Sequence, residues 1–268
     1  MNKALRRGMA GSGRRSRLSS WQIATFALAA AALLVPLRPG QGRQVGQGAV
    51  ANLEKHGAQI FRDETRPEAP VIGVDLDETD IDDAGLADLR GFSALQSLSL
   101  DGTRISDAGL ANLKDLTSLS DLSLDNTAVG DAGLKQFGGL KNLRKLSLDR
   151  TMIGDAGLSH LAGLKRLETL SLASTRVTDA GLAHLKGLNR LSWLLLHNTA
   201  VGDHGIEHLQ GLKDLEVLYL HETQVSDAGL AFLRELTHLQ ILNVENTNVT
   251  DAAVAALQKL RPDLKISH

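Results

Sequence analysis

His197 and His221 stand 24 residues apart, with Glu222 and Glu245 beside them in the same spacing pattern. Two imidazoles and a carboxylate are a ligand set that zinc accepts. A zinc centre also needs outer groups that orient the rings and exclude water. Both histidines instead follow short alternating apolar runs that place them on an open face, so no metal and no other cofactor is expected. His160, His184 and His208 repeat at the same interval on a helical return, the ordinary setting of a surface histidine. Asp101, Asp125 and Asp149 form a third row. Calcium takes about six to eight oxygens, and one carboxylate per rung is a thin supply. The row reads as a solvated face that favours solubility or attracts a basic partner. No nucleophile elbow, phosphate loop, HExxH pair or credibly placed carboxylate dyad is found, so the chain is not expected to be an enzyme. The glycine pairs near Gly11, Gly40 and Gly46 lack the strand and helix that a nucleotide site requires.

What positions these rows is a repeat. Thr79, Thr103, Thr127, Thr151, Thr175, Thr199, Thr223 and Thr247 recur every 24 residues, and an aspartate follows each by four, from Asp83 to Asp251. A fixed period of this length means one supersecondary unit stacked on itself. In the unit at 95–118, Leu98-Ser99-Leu100 alternates as a half-buried strand does. Leu110, Leu113 and Leu116 follow at threes, as in a helical or 3₁₀ return. Neither apolar set can be buried within one unit, so neighbours must stack. The threonine sits at the bend after the strand, where its hydroxyl can bond the adjacent turn. The aspartate is expected to cap the return's unpaired N–H groups. Gly85 and its equivalents through Gly229, replaced by Ala253 in the last unit, permit close packing of that return.

The pattern L-x-x-L-x-L-x-x-T-x-[IV]-x-D-x-G-L-x-x-L resembles the leucine-rich repeat, in the 24-residue bacterial variety common in exported proteins of planctomycete-like organisms. The resemblance covers roughly residues 71–268. It implies an α/β solenoid: a right-handed coil with a parallel sheet on its concave face and short helices on its convex face. It also implies a protein-interaction scaffold, because that is what most of the family is.

Along each strand, side chains alternate between core and concave surface. One concave column reads Ser97, Asp121, Lys145, Thr169, Trp193, Val217, Ile241; the other reads Ser99, Ser123, Ser147, Ser171, Leu195, Tyr219, Asn243. Both are small or polar through four repeats and then turn apolar and aromatic together. With rungs ~4.8 Å apart, Trp193, Leu195, Val217, Tyr219 and Ile241 are expected to form one exposed patch, rimmed by His197, Asn198, His221, Glu222, Asn243 and Glu245. Clustered apolar side chains inside a polar rim mark interaction surfaces, and Trp and Tyr are common anchors. A protein segment or peptide is the expected ligand.

The ends differ from the middle. All eight basic residues before Glu54 are unopposed; of 29 basic and 31 acidic residues this leaves 21 against 31 from Glu54 onward, a net charge of −10. An acidic repeat region argues against nucleic acid, whose affinity rests on phosphate contacts. Twenty uncharged residues lie between Arg17 and Arg38, near the ~20 that a membrane span needs. The chain divides into a basic segment (1–20), a signal-anchor or signal peptide (21–37), a flexible linker (38–48), an N-terminal cap (49–74), eight repeats (75–261) and a closing strand (262–268). The apolar segment implies export across the cytoplasmic membrane, with the chain either retained as an anchored protein or released after cleavage. With no cysteine, the caps carry no disulfide. Asn248-Val249-Thr250 matches a glycosylation acceptor, although its residues already have turn positions. Two functional readings stand: a non-catalytic scaffold that binds protein or peptide through the C-terminal half of its concave face, and a cell-envelope protein that associates with itself.

Overall fold

The computed structural model describes residues 46–268. Helix α1 (Gln47–Lys55) covers the first end, with Val50 and Leu53 turned into the core. Strand β1 (Gln59–Arg62) pairs antiparallel with β2 (Val71–Asp75). From β2 onward the sheet is parallel and in chain order: β3 (Ser97–Ser99), β4 (Asp121–Ser123), β5 (Lys145–Ser147), β6 (Thr169–Ser171), β7 (Trp193–Leu195), β8 (Val217–Tyr219), β9 (Ile241–Asn243) and β10 (Lys265–Ser267). The result is an open, ten-stranded α/β solenoid.

Each coil returns through a short helical segment. The first returns are 3₁₀ (Gly85–Gly91, Gly109–Asn112, Gly133–Gly139). Later ones contain α-helical turns: α2 (Asp155–Leu158), α3 (Asp179–Leu182), α4 (Asp203–Glu207), α5 (Asp227–Leu233) and α6 (Asp251–Leu260). Strand and return leucines meet between the two layers. Leu98, Leu100, Ile105, Leu110 and Leu113 are all fully buried, each contributing roughly 1.5–3 kcal/mol.

Local chemistry fixes the corners. Every repeat threonine donates its hydroxyl to the carbonyl three residues back, as Thr103 does to Leu100 and Thr247 to Val244, both at 2.6 Å. The residue before it takes a left-handed conformation: Asn126 (φ 55°), Arg150 (55°), Ser174 (56°), Asn198 (54°) and Glu222 (58°). That region disfavours a side chain other than glycine's or a short polar one, by roughly 1–2 kcal/mol. Glycine also loosens the unfolded chain, which offsets part of the gain. Glu222→Gly is therefore expected to raise stability by about 0.5–1 kcal/mol, with Asn246→Gly near zero, read from urea midpoints.

The repeated aspartates do not cap their own returns, contrary to the expectation from their position. The seven from Asp83 to Asp227 each reach forward one coil. Asp83 accepts from the Ser106 N–H at 2.8 Å, Asp131 from Gly154 at 2.7 Å and Asp155 from Thr178 at 2.8 Å. The caps of α3, α5 and α6 are instead the hydroxyls of Thr178, Ser226 and Thr250. The repeated glycine accommodates that carboxylate. A Cβ at Gly157 would stand 2.5 Å from Asp131 Oδ1, and one at Gly133 would stand 2.6 Å from Asp107 Oδ1.

Among the described residues no helix is long and apolar enough to cross a membrane. The proposed signal segment at 21–37 and most of the linker lie outside the described residues.

Candidate binding face

The register brings the two concave columns into line. Thr169 pairs with Trp193, Trp193 with Val217 and Val217 with Ile241; Ser171 pairs with Leu195, Leu195 with Tyr219 and Tyr219 with Asn243. Intervening Leu194, Leu218 and Leu242 point into the core and are fully buried. Trp193 is 46% exposed, while Leu195, Tyr219, Ile241 and Asn243 are half-buried. Val217 departs from the expected exposed patch: it is only 3% exposed. Its short side chain lies one rung, ~4.8 Å, from the larger Trp193 and Ile241. The accessible surface is thus the Trp193 ring, with Leu195, Tyr219 and Ile241 set lower around it.

The acidic row is not a solvated face. Asp101 Oδ1 accepts from the Ser123 hydroxyl at 2.5 Å and the Asp125 N–H at 2.9 Å. Asp125 does the same for Ser147 at 2.6 Å and Asp149 N–H at 2.8 Å, and Asp149 for Ser171 at 2.5 Å and the Ala173 N–H at 2.8 Å. Asp77 begins this ladder by accepting from Ser99 and from the Asp101 N–H. Burial, opposed by the Ser123 bond and reinforced by the neighbouring Asp77, pushes the Asp101 carboxyl up to about 6. Burial and both flanking carboxylates push Asp125 up to about 8, and burial raises Asp149 as well.

The ladder stops at Ala173, and the hydroxyl column stops with Ser171 at the next position, Leu195. The apolar patch begins where this polar lattice ends. His197 and His221 continue the aspartate column. Their rings stack at 4.2 Å with planes 13° apart, and the Tyr219 ring lies 6.1 Å from His221. Both Nδ1 atoms are buried without a hydrogen-bond partner. Burial first, then the His221 and Arg150 charges, hold the His197 imidazole down to about 4. Parallel rings send their lone pairs along parallel lines, which does not converge on one ion. Among the described residues no cluster of three or more His, Asp or Glu side chains is placed to hold a metal. Glu222 is exposed; Glu245 is exposed too and lies 3.4 Å from the Asn243 amide nitrogen.

A second feature lies where strands β6–β9 begin. Glu168, Arg190, Ser192, Asp214, Glu216 and His238 line an open depression of about 340 Å³. It adjoins the apolar patch through the backbone, because the Trp193 N–H donates to the Glu168 carbonyl and the Ile241 N–H to that of Glu216, both at 3.0 Å. Glu168 is shared with Arg144 through bonds of 3.0 and 2.9 Å. Sequence reading missed this depression. Its residues occupy the variable positions between repeat leucines, and their 24-residue spacing was the available signal.

The family model described as "Leucine Rich repeat" matches residues 235–257. No curated protein sequence matches the chain. Among solved structures the chain is similar to internalin C2 from Listeria monocytogenes, with a TM-score of 0.61 and 23% identity over 84% of this chain and 91% of that one. It is also similar to a leucine-rich-repeat protein from Leptospira interrogans, with a TM-score of 0.51 and 20% identity over 68% of this chain and 51% of that one. Both likenesses concern the fold. With the 24-residue repeat, the in-register parallel sheet and the matched unit, they give this chain the fold of a leucine-rich-repeat solenoid.

Proposed function

We propose that the chain is a non-catalytic scaffold that binds a protein segment or peptide on the C-terminal half of its concave face. The observation that carries this reading is Trp193, 46% exposed on a strand whose next two rungs offer Tyr219 and Ile241. A bare indole on a sheet face gains by being covered, and aromatic anchors dominate many interfaces. Asn243, His197, His221 and Glu245 supply the polar rim. The basic segment and apolar run at 1–37 add export and tethering to the membrane, or release after cleavage. Panning a random peptide library against the full-length chain, with the Trp193→Ala/Tyr219→Ala variant as counter-selection, tests this. Selected peptides should bind the variant at least 10-fold more weakly. Equal binding by both proteins would rule out the face.

Self-association is the second reading, favoured by the two sheet edges, β1 and β10, each of which has one paired neighbour. Those edges are four and three residues long, and a short edge strand ending in charge discourages further pairing. Light scattering on the full-length chain separates the readings, since growth of polymer with concentration supports stacking and a monodisperse particle supports the scaffold.

A further inference from the structure

The patch and the depression beside it differ in chemistry but share strands. The Trp193 surface is apolar. The depression carries the carboxylates of Glu168, Asp214 and Glu216 against one guanidinium, Arg190, with His238 as the remaining titratable group. Arg144 occupies part of Glu168 from outside, in an exposed pair that solvent screens. Ser192 lines the depression and Trp193, the next residue, carries the patch, so one ligand can meet both surfaces within neighbouring side chains. Along the concave columns the cations are few, Lys145, Arg150 and Lys265, and Lys145 is held by Asp121 at 3.4 Å.

We propose that the partner is a basic peptide segment, which lays apolar side chains over Trp193 and Tyr219 and places an arginine or lysine in the acidic depression at Asp214 and Glu216. This rests on the concave-face reading above and names the chemistry of its ligand. An apolar anchor supplies the burial, and the adjacent cation supplies discrimination and a faster encounter, the usual division between such terms. Two rungs, ~10 Å, separate Trp193 from Ile241, about three residues of an extended chain. A short motif that combines apolar and cationic residues therefore suffices to reach both surfaces.

The test uses the full-length chain in a non-ionic detergent, with detergent alone as blank. The probes are a labelled, end-blocked octapeptide of alternating leucine and arginine, and twins with citrulline for arginine or serine for leucine. Fluorescence anisotropy should show the leucine–arginine peptide binding at least 10-fold tighter than either twin. Asp214→Asn/Glu216→Gln should erase the preference over citrulline, whereas Trp193→Ala should weaken leucine-bearing peptides at least 5-fold. All three substituted side chains are exposed, and unchanged circular dichroism confirms folded variants. If the citrulline twin binds as tightly and still loses affinity in Trp193→Ala, the cationic partner is overturned while the apolar face stands. If no probe responds to Trp193→Ala, both fail.

Discussion

Gly157→Ala should destabilise the solenoid by about 2–3 kcal/mol, although alanine is the better helix former by roughly 1 kcal/mol. The added methyl would stand 2.5 Å from Asp131 Oδ1 and 3.3 Å from the Asp131 backbone. That oxygen also accepts the Gly154 N–H at 2.7 Å, so it cannot withdraw without leaving a part-buried donor unsatisfied. Overpacking typically costs about 1–3 kcal/mol, and losing a bond to a charged acceptor about 1.5–3. Gly138→Ala, with nothing within 4 Å of its new methyl, should be neutral or slightly stabilising. Denaturant unfolding of both variants tests the sign. In the Asp131→Ala/Gly157→Ala double variant the second change should cost far less than it does alone, because its obstacle is gone. Full additivity would mean the clash is not the cause. Ala253 occupies the equivalent position in α6, and there the cap differs: the Ala253 N–H turns to Thr250 Oγ1 at 3.2 Å.

The second large effect is on pH dependence. Asp125 sits near 8 and Asp101 near 6 in the folded chain, against an ordinary 3.8. From pH 3.8 upward the unfolded carboxyls ionise first, so the folded state holds more protons and stability falls as pH rises toward 8. Above that value the contribution is constant. His197 acts in the opposite direction. Held near 4 instead of 6.5, it costs stability as pH falls between those values and partly cancels the ladder there. The clear window is therefore pH 6.5–8, where Asp125 dominates. Asp125→Asn keeps an amide oxygen for the Ser147 hydroxyl and the Asp149 N–H and removes the charge. It should flatten the slope in that window and stabilise the chain at pH 8 by about 1–3 kcal/mol. Thermal midpoints of both proteins from pH 6 to 8.5 decide it, and parallel curves would refute the buried-charge account.

Much of the fold was legible because period and leucine spacing are properties of one unit repeated. Once the period is known, the alignment of Trp193, Val217 and Ile241 in one column follows. The threonine hydroxyl was legible for the same reason, since its bond closes within its own turn. The misreadings share one cause. Asp83 and its equivalents answer to a residue 23 positions on, in the next coil, where a search for a local cap does not look. Asp101 and Asp125 appeared solvated because each was considered within its own repeat, whereas Ser123 and Ser147 from the following strands cover them. Val217 has outward strand phase, but its exposure depends on the bulk of its neighbours, which periodicity does not register. The acidic depression was hidden because it forms from residues that the repeat leaves free to vary.

Ties between coils run from one unit to the next: Ser123 to Asp101, Gly130 to Asp107 and Asp125 to Asp101, over 22, 23 and 24 residues. Nothing in such a scheme refers to the total. Inheritance can insert or delete 24 codons at a time and leave the surviving bonds with suitable mates, whereas a change of another size must be absorbed as a bulge within the coil that carries it. Length is thus a quantity that this bonding leaves open, and the two end pieces are the parts that cannot be copied.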